Sequence, residues 1–342
     1  MDGTGLIAAA SGTIGKVVSS IVPIGSGGNN RVYRIETNDG SRFVLKWYFQ
    51  DALGNRNRLG VEFQALQFLS AHGVGSVPRP VAVNPSAEIA IYEFVDGEPA
   101  MASGIGPEDI AAVLAFARQL RSLSRQPEAS VLLPASDACS SLHDFQSSLR
   151  KRAARLEAVA ANTNAERALH RFLDCEFRTA MRATIEQSAA QLIRAGIAVD
   201  VALPAECRTL SPSDFGFHNA IRRGGELVFV DFEYFGWDDP AKLICDFLLH
   251  PAMLLSERFK QQFARGAIRD SGYDSKLPVR VSALYPLFAL NWCLILLNEF
   301  LPDQLQRRRF AVDFPEPMHN VQMRQLAKAR MMLASSRVPA LT

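Results

Sequence analysis

Cysteine is scarce in this chain. Five thiols (Cys139, Cys175, Cys207, Cys245, Cys293) are scattered over 342 residues, with no C-x-x-C pair. That argues against a disulfide framework or a zinc site and fits reduced thiols in a cytoplasm. A charge imbalance is also lacking: 37 Lys and Arg face 35 Asp and Glu. No whole-molecule attraction to nucleic acid is therefore expected. No apolar run reaches about 18 residues without a polar break, so no membrane partner is expected either. The most apolar stretch, Tyr285 to Leu297, is bounded by Asn298-Glu299 and reads as a buried core helix. The start of the chain has no basic n-region, and Leu6 to Ala10 is too short for a signal h-region. Internal repeats and low-complexity tracts are absent. What remains is a globular composition, 48% hydrophobic and 21% charged, in a chain long enough for two lobes and a sizeable core.

The stretch Asp214-Phe215-Gly216-Phe217-His218-Asn219 reads D-x-x-x-x-N. An apolar strand, Leu227 to Val230, and then Asp231-Phe232-Glu233 follow after one short hairpin. Phosphoryl transfer from a nucleotide needs one carboxylate to orient the acceptor hydroxyl and take its proton. It also needs an amide and a second carboxylate to hold a metal against the phosphates. Protein kinases space these parts as D-x-x-x-x-N followed by D-F-G. Asp214 is then the candidate base, and Asn219 and Asp231 the candidate metal ligands. Alone, the motif also fits a polar hairpin loop whose Asp and Asn make turn hydrogen bonds. The upstream half has to supply a nucleotide cradle in the right order.

It does so. Val17 to Ile24 is β-branched and reads as a strand, and Arg31 to Ile35 alternates like its partner. Gly25-Ser26-Gly27-Gly28-Asn29-Asn30 lies between them, a partial G-x-G-x-x-G in which Asn30 takes the third glycine's place. Glycine lets backbone N–H groups approach phosphates that a Cβ would hold off, so Gly27 and Gly28 are candidate phosphate contacts. Ser41 to Phe49 reads as a third strand, with Phe43 and Leu45 on one face and Val44 and Lys46 on the other. A lysine in an apolar strand costs desolvation unless it meets an anion. Asn57 to His72 has helical spacing, ends at Gly73 and carries Glu62, the candidate partner of Lys46. Val81 to Val83 and Glu88 to Val95 complete the strands, and the pattern breaks at Asp96-Gly97-Glu98-Pro99. Each piece is weak by itself; their order is specific.

The ordered set resembles the aminoglycoside phosphotransferase and choline kinase superfamily, protein-kinase-like enzymes that act on small molecules. The resemblance runs from about Val17 to Val95 and from Leu210 to about Leu249. It rests on Gly27 to Arg34, Lys46, Glu62, Asp214, Asn219 and Asp231-Phe232-Glu233-Tyr234, continuing Gly236-Trp237-Asp238-Asp239-Pro240. It implies an α+β, two-lobed fold: a small antiparallel sheet lobe over residues 1–95 and a larger, mostly helical lobe over 96–342. It also implies ATP or GTP as donor, Mg2+ as metal, a small-molecule hydroxyl as acceptor and a linker, Glu93 to Val95, whose backbone meets the base. Asp246 matches an aspartate that braces the family's catalytic loop. C-terminal helices frame the acceptor pocket in this superfamily, which makes Trp237, Trp292, Asn298 and Glu299 candidate lining. The chain departs from the family at Pro212-Ser213-Asp214, where His-Gly-Asp is usual, and His218 is an extra polar group beside Asn219. The missing histidine leaves a nucleotide-binding pseudokinase as the alternative. No A-P-E segment follows Asp231, which argues against a protein acceptor.

The rest of the sequence is helical by spacing. Pro107 onward, Ser141 to Ala160, Ala165 to Ala195, Pro240 to Leu249, Ser256 to Ile268, Pro278 to Phe300 and Met318 to Ser335 read as helices. The arginines between Arg150 and Arg182 read as a solvated face paired with Glu157, Glu166 and Glu176 at helical spacing.

Overall fold

A computed structural model describes residues 3–25, 28–50, 56–138, 140–311 and 316–335. Gly27, a candidate phosphate contact, lies outside the described residues.

The chain opens with helix α1 (Gly3–Ile14) and strands β1 (Val18–Pro23), β2 (Arg31–Thr37) and β3 (Arg42–Trp47). Helix α2 (Arg58–Ala71) and strands β4 (Pro80–Asn84) and β5 (Ile89–Glu93) follow. The strands form one antiparallel sheet in the order β1-β2-β3-β5-β4. Period-two alternation divides its faces. Ile35, Leu45, Ile89 and Ile91 pack with Leu6 and Ala10 of α1 in one buried cluster. Ala90 and Tyr92 join α2 and the rest of the molecule on the other face. Helix α1 was not foreseen; its burial of Leu6 and Ala10 against the sheet explains its presence.

Helix α2 begins where Asn57 caps it, the side chain accepting from the Gly60 N–H. It ends before Gly73, whose φ of 74° only glycine adopts cheaply. Burial of Leu59, Ala65, Leu66 and Leu69 fixes the helix's rotation and turns Glu62 toward β3.

Strand β6 (Glu98–Pro99) comes where the sequence reads as a break, and it pairs with β8 (Ala220–Arg223), which pairs in turn with β9 (Glu226–Phe229). Helices α3 (Pro107–Leu123), α4 (Leu142–Glu157), α5 (Asn164–Phe172) and α6 (Arg178–Arg194) lie between. A single π turn, Leu173–Phe177, joins the last two. Strand β7 (Thr209–Ser211) pairs with β10 (Gly236–Asp238), and the two hold the segment that carries Asp214 and Asp231. Helices α7 (Pro240–Leu249), α8 (Glu257–Asp270), α9 (Leu277–Leu296), α10 (Pro302–Ala311) and α11 (Met318–Ala334) complete the chain. This is the protein-kinase-like arrangement of a small antiparallel sheet and a larger helical body. Leu277–Phe300 is long and apolar enough to cross a membrane, but 72% of its most apolar stretch is buried inside the protein. It is a core helix.

The arginine-rich helices pair differently from the helical-spacing expectation. Glu157 binds Arg178 from another helix, Glu176 binds Arg330 of α11, and Glu166 caps α5 with Thr163. Tertiary contacts took the acids that local spacing offered to neighbours on the same helix.

Candidate active site

Lys46 leaves β3 toward the cleft and meets two carboxylates. Its Nζ lies 2.6 Å from Glu62 Oε2 and 2.5 Å from Asp231 Oδ1. Glu62 makes three bonds: it also accepts from the Tyr48 hydroxyl at 2.7 Å and from the Phe232 N–H at 3.2 Å. The helix glutamate thus joins the sheet lysine to the backbone of the Asp231-Phe232-Glu233 segment. Burial alone would lower the Lys46 pKa, but the fields of Asp231, Glu62 and Glu233 raise it well above its ordinary value. Lys46 is a permanent cation here.

Lys46 lies among three acids, the third of which, Glu233, also faces Arg58 at 4.0 Å. Glu62, Asp231 and Glu233 present oxygens that all lie within 4.8 Å of one another. Burial pushes the Asp231 carboxyl up to about 7 despite Lys46, with Glu233 and Glu62 adding to the rise. Such a site is short of positive charge, so an oxygen-seeking divalent cation fits it. Asn219 complements that chemistry. Its side-chain N–H donates to the Asp214 carbonyl at 3.0 Å, and its backbone carbonyl accepts from the Val230 N–H at 2.9 Å. The first bond spends the amide nitrogen on the loop backbone, which leaves the amide oxygen as the atom that could meet a metal.

Asp214 is held by two histidines. Nε2 of His218 and Nε2 of His250 approach its Oδ1 at 3.0 and 3.1 Å. Burial would raise the Asp214 pKa, but these two hydrogen bonds override it and hold the carboxyl far below the usual range. The imidazoles stack, with centroids 3.7 Å apart and planes at 6°. A metal bound to both rings would have to leave at least one ring plane, because the lone pairs lie in parallel planes. The trio is a hydrogen-bonded clamp on the carboxylate.

The loop is anchored from behind. Ser213 occupies a left-handed conformation at φ 67°, as does Asp231 at φ 68°, and a non-glycine residue held there costs about 1–3 kcal/mol. Lys242 of α7 donates to Ser213 Oγ at 3.0 Å and is neutralised by Asp238 and Asp246 at 3.2 and 2.8 Å. Asp246 accepts in turn from the Trp292 indole at 3.1 Å, and Trp292 packs edge-on against His250 at 4.6 Å. Asp246 therefore acts on the Ser213-Asp214 loop through Lys242. His250 and Lys242 were missed from the sequence. Their signal was the spacing: Lys242, Asp246 and His250 fall at four-residue intervals along α7 and its C-cap, and Asp238 stands four residues earlier at the end of β10.

The glycine loop bends toward the same centre. Asn29 donates to Glu233 Oε1 and to the Tyr234 hydroxyl, both at 2.9 Å, and Asn30 donates to Glu233 Oε2 at 2.6 Å. The Arg308 guanidinium lies where a Cβ on Gly28 would stand. Arg308 comes from α10, which reaches across to the sheet: Phe310 packs on Trp47 and Phe49 at 5.0 and 5.4 Å, and Arg31 donates to the Phe310 carbonyl. Glu93 ends β5 opposite Phe43, and its carboxylate ties Arg79 to Arg223 of β8. Val95 is buried just beyond.

Lys46, Glu62 and Asp231 are thus in direct contact, with Asp214 and Asn219 on the adjoining loop. Glu93 and Val95 sit on the connection after β5. Trp237 spends its indole N–H on the Ala129 carbonyl, and Glu299 is buried against Arg308 at 3.2 Å.

The description "Phosphotransferase enzyme family" belongs to the family model that matches residues 20–281. No curated protein matches the sequence. Among solved structures, a spectinomycin phosphotransferase in complex with ADP and spectinomycin aligns with a TM-score of 0.63 at 11% identity, over 95% of this chain and 98% of that one. An amicoumacin kinase in complex with AMP-PNP and Ca2+ gives 0.61 at 14%, over 100% and 96%. Choline kinase from Cryptosporidium parvum Iowa II gives 0.61 at 15%, over 99% and 98%.

Proposed function

This chain belongs to the phosphotransferase enzyme family, the superfamily of aminoglycoside phosphotransferases and choline kinases, and from that premise we propose that it moves the γ-phosphoryl group of ATP or GTP to a hydroxyl of a small molecule. The observation that carries the reading is the contact of Lys46 with both Glu62 and Asp231, residues far apart in sequence, beside a loop that offers Asp214 and Asn219. Residues 1–95 hold the donor and 96–342 the acceptor in this reading.

Lys46, kept charged by Glu62, takes the donor phosphates. Gly27 and Gly28 cover them with backbone N–H groups, and the backbone from Glu93 to Val95 meets the base. Asn219 and Asp231 would hold Mg2+, which supplies charge neutralisation at the phosphates. Asp214 accepts the acceptor's hydroxyl proton while the oxygen attacks phosphorus, and the nucleoside diphosphate leaves. His218 and His250 keep that carboxylate ionised and fixed in direction. Most of the acceleration in such a site comes from positioning and electrostatics. The Lys242 bond to Ser213 supports the enzyme reading over the pseudokinase: the loop keeps an internal anchor where the family's histidine is missing.

The test is Asp214→Asn in single-turnover transfer, after acceptors are screened by nucleoside diphosphate release. Loss of the base is expected to cost about 10²–10⁴-fold in rate with nucleotide binding nearly intact. Transfer that survives the substitution sinks the mechanism. Tight nucleotide binding with no transfer to any sugar, amino alcohol, aminoglycoside or protein favours the pseudokinase.

A further inference from the structure

A second cavity lies between α3, α7 and α8. Helices α3 and α8 meet at Gly266, where a Cβ would stand 2.5 Å from Leu114 Cδ1. Beyond that contact a hollow of about 290 Å³ remains, at the small end of the range for ligand pockets. None of Lys46, Glu62, Asp214, Asn219 and Asp231 lines it. Its inner wall is apolar: Leu114 and Ala117 of α3, Pro240, Leu243 and Ile244 of α7, and Ala267 of α8.

The outer part of the lining is cationic. Arg118, Arg121 and Arg125 continue from Leu114 and Ala117 at three- and four-residue steps, one face of α3. Arg118 pairs with Asp270 at 3.0 Å. Among the described residues, Asp270 is the only acid that lines this cavity, and the adjoining one, lined by Arg265 and Arg269, has none. Arg269 stands 3.6 Å from the same carboxylate. The acids nearby are turned elsewhere. Asp274 pairs with Arg280 at 2.8 Å, and Glu128, three residues after Arg125, faces His72 at 3.8 Å. Glu206 offers Arg121 its backbone carbonyl and lines neither cavity.

Two of these arginines converge on one ring. The guanidinium carbons of Arg121 and Arg125 lie 4.1 and 5.7 Å from the centre of Tyr273. Arg121 is fixed there by the carbonyls of Arg208 and Glu206. The Arg125 side chain makes no hydrogen bond or ion pair among the described residues. Burial lowers the Arg121 pKa, and the charge of Arg125 adds to the fall. An anion placed at this ring would meet both guanidiniums and relieve their repulsion.

We propose that this cavity is a second ligand site, which takes a small amphipathic anion: an aryl or alkyl body against the α7 and α8 wall, and a carboxylate or phosphate group at Arg121 and Arg125. Guanidinium forks suit either oxyanion. The concave apolar wall favours a small molecule over an acidic peptide, which would lie across the arginines and leave the hollow empty. Thr209 also lines the cavity and opens β7, which leads to Ser213 and Asp214, and Leu243 follows Lys242. The occupant therefore rests behind the elements that hold the candidate base.

The full-length protein is titrated with 2-naphthoate and 2-naphthyl phosphate at constant ionic strength. Controls are 2-naphthol, a body without the charge, and acetate, a charge without the body. The readout is the thermal midpoint, which rises when a ligand binds only the native state. At least one naphthyl anion is expected to raise it, and the tighter of the two identifies the oxyanion. Naphthol and acetate should need about tenfold higher concentrations, the worth of a charge-assisted bond or of a buried ring. In R125Q the half-saturating concentration is expected to rise about threefold, a modest change because an exposed guanidinium is screened. In A117F the new ring grows into the hollow, and the response should vanish. Near-ultraviolet circular dichroism checks that the variants keep native packing; R125Q removes no hydrogen bond and decides alone if A117F does not fold. Equal responses in wild type and R125Q overturn the inference, as does a response that survives in folded A117F, naphthol as effective as naphthoate, or no response to either anion. Hexaglutamate that raises the midpoint of wild type but not of R125Q, with both naphthyl anions silent, overturns it in favour of an acidic peptide.

Discussion

Replacing Glu62 and Lys46 singly and together measures how tightly the donor site is coupled. Both side chains are nearly inaccessible, at 4% and 8% exposure, so solvent screening does little to weaken their interaction. Lys46→Met leaves Glu62, Asp231 and Glu233 clustered without their common cation. Removing one member of such a buried pair costs about 3–5 kcal/mol, a large share of a native stability of about 5–15 kcal/mol. Glu62→Gln keeps the shape and an acceptor for the Phe232 N–H but weakens the bonds from Lys46 and Tyr48. Its cost is about 2–3 kcal/mol, from the strength of hydrogen bonds to charged groups. In the double variant neither residue is left facing an opposite charge that has vanished, so the cost falls below the sum of the singles by about 2 kcal/mol, within the range of contacting pairs. Urea unfolding of the metal-free protein, followed by fluorescence and circular dichroism together, gives the four values. Additivity within about 0.5 kcal/mol would refute the coupled site.

The proposed mechanism gives the two aspartates different jobs. Asp231→Asn is expected to abolish most of the Mg2+-dependent nucleotide affinity and Asp214→Asn to leave it nearly unchanged; equal losses in a thermal-shift titration would show the roles misassigned. Asp214 also makes stability pH-dependent. Its folded pKa is depressed below the unfolded value of 3.8, so its stabilisation is present above that pH and is lost as pH falls toward the folded value. The midpoint of wild type relative to Asp214→Asn is expected to decline from pH 5 to pH 3 in a series of thermal melts, and a constant difference would contradict the depressed pKa.

Much of the site was legible because its parts lie on elements with strong local signals. Lys46 interrupts an apolar alternation, Glu62 sits on a capped helix closed by glycine, and Asp214, Asn219 and Asp231 flank a hairpin. What escaped has a common cause. Strand β6 is two residues long and exists only because β8 offers it an edge. Helix α10 has few apolar residues and is held by Phe310 on the sheet and by Asp303 on Arg155. Its place is decided by distant partners. The choice of Arg178 by Glu157 and of Arg330 by Glu176 was likewise set by packing between helices. The four-residue spacing places His250 on the face of Lys242 and Asp246, but its contact with Asp214 depends on the fold, which stacks it on His218.

Helix α10 also bears on how fast the molecule can exchange its ligands. It is rooted in the helical body through Asp303 and Arg308 and touches the sheet through Phe310 and Arg31. Any swing that parts the sheet from the helical body must slide Phe310 off Trp47 and Phe49 or carry α10 along. Such a swing would break that aromatic contact together with the bonds from Lys46 to Asp231, from Asn30 to Glu233 and from Arg223 to Glu93. Each time the cleft opened for a ligand, α10 would have to part from the sheet at Phe310 or from the helical body at Asp303 and Arg308, so its ten residues would be a hinge-side strap between the two.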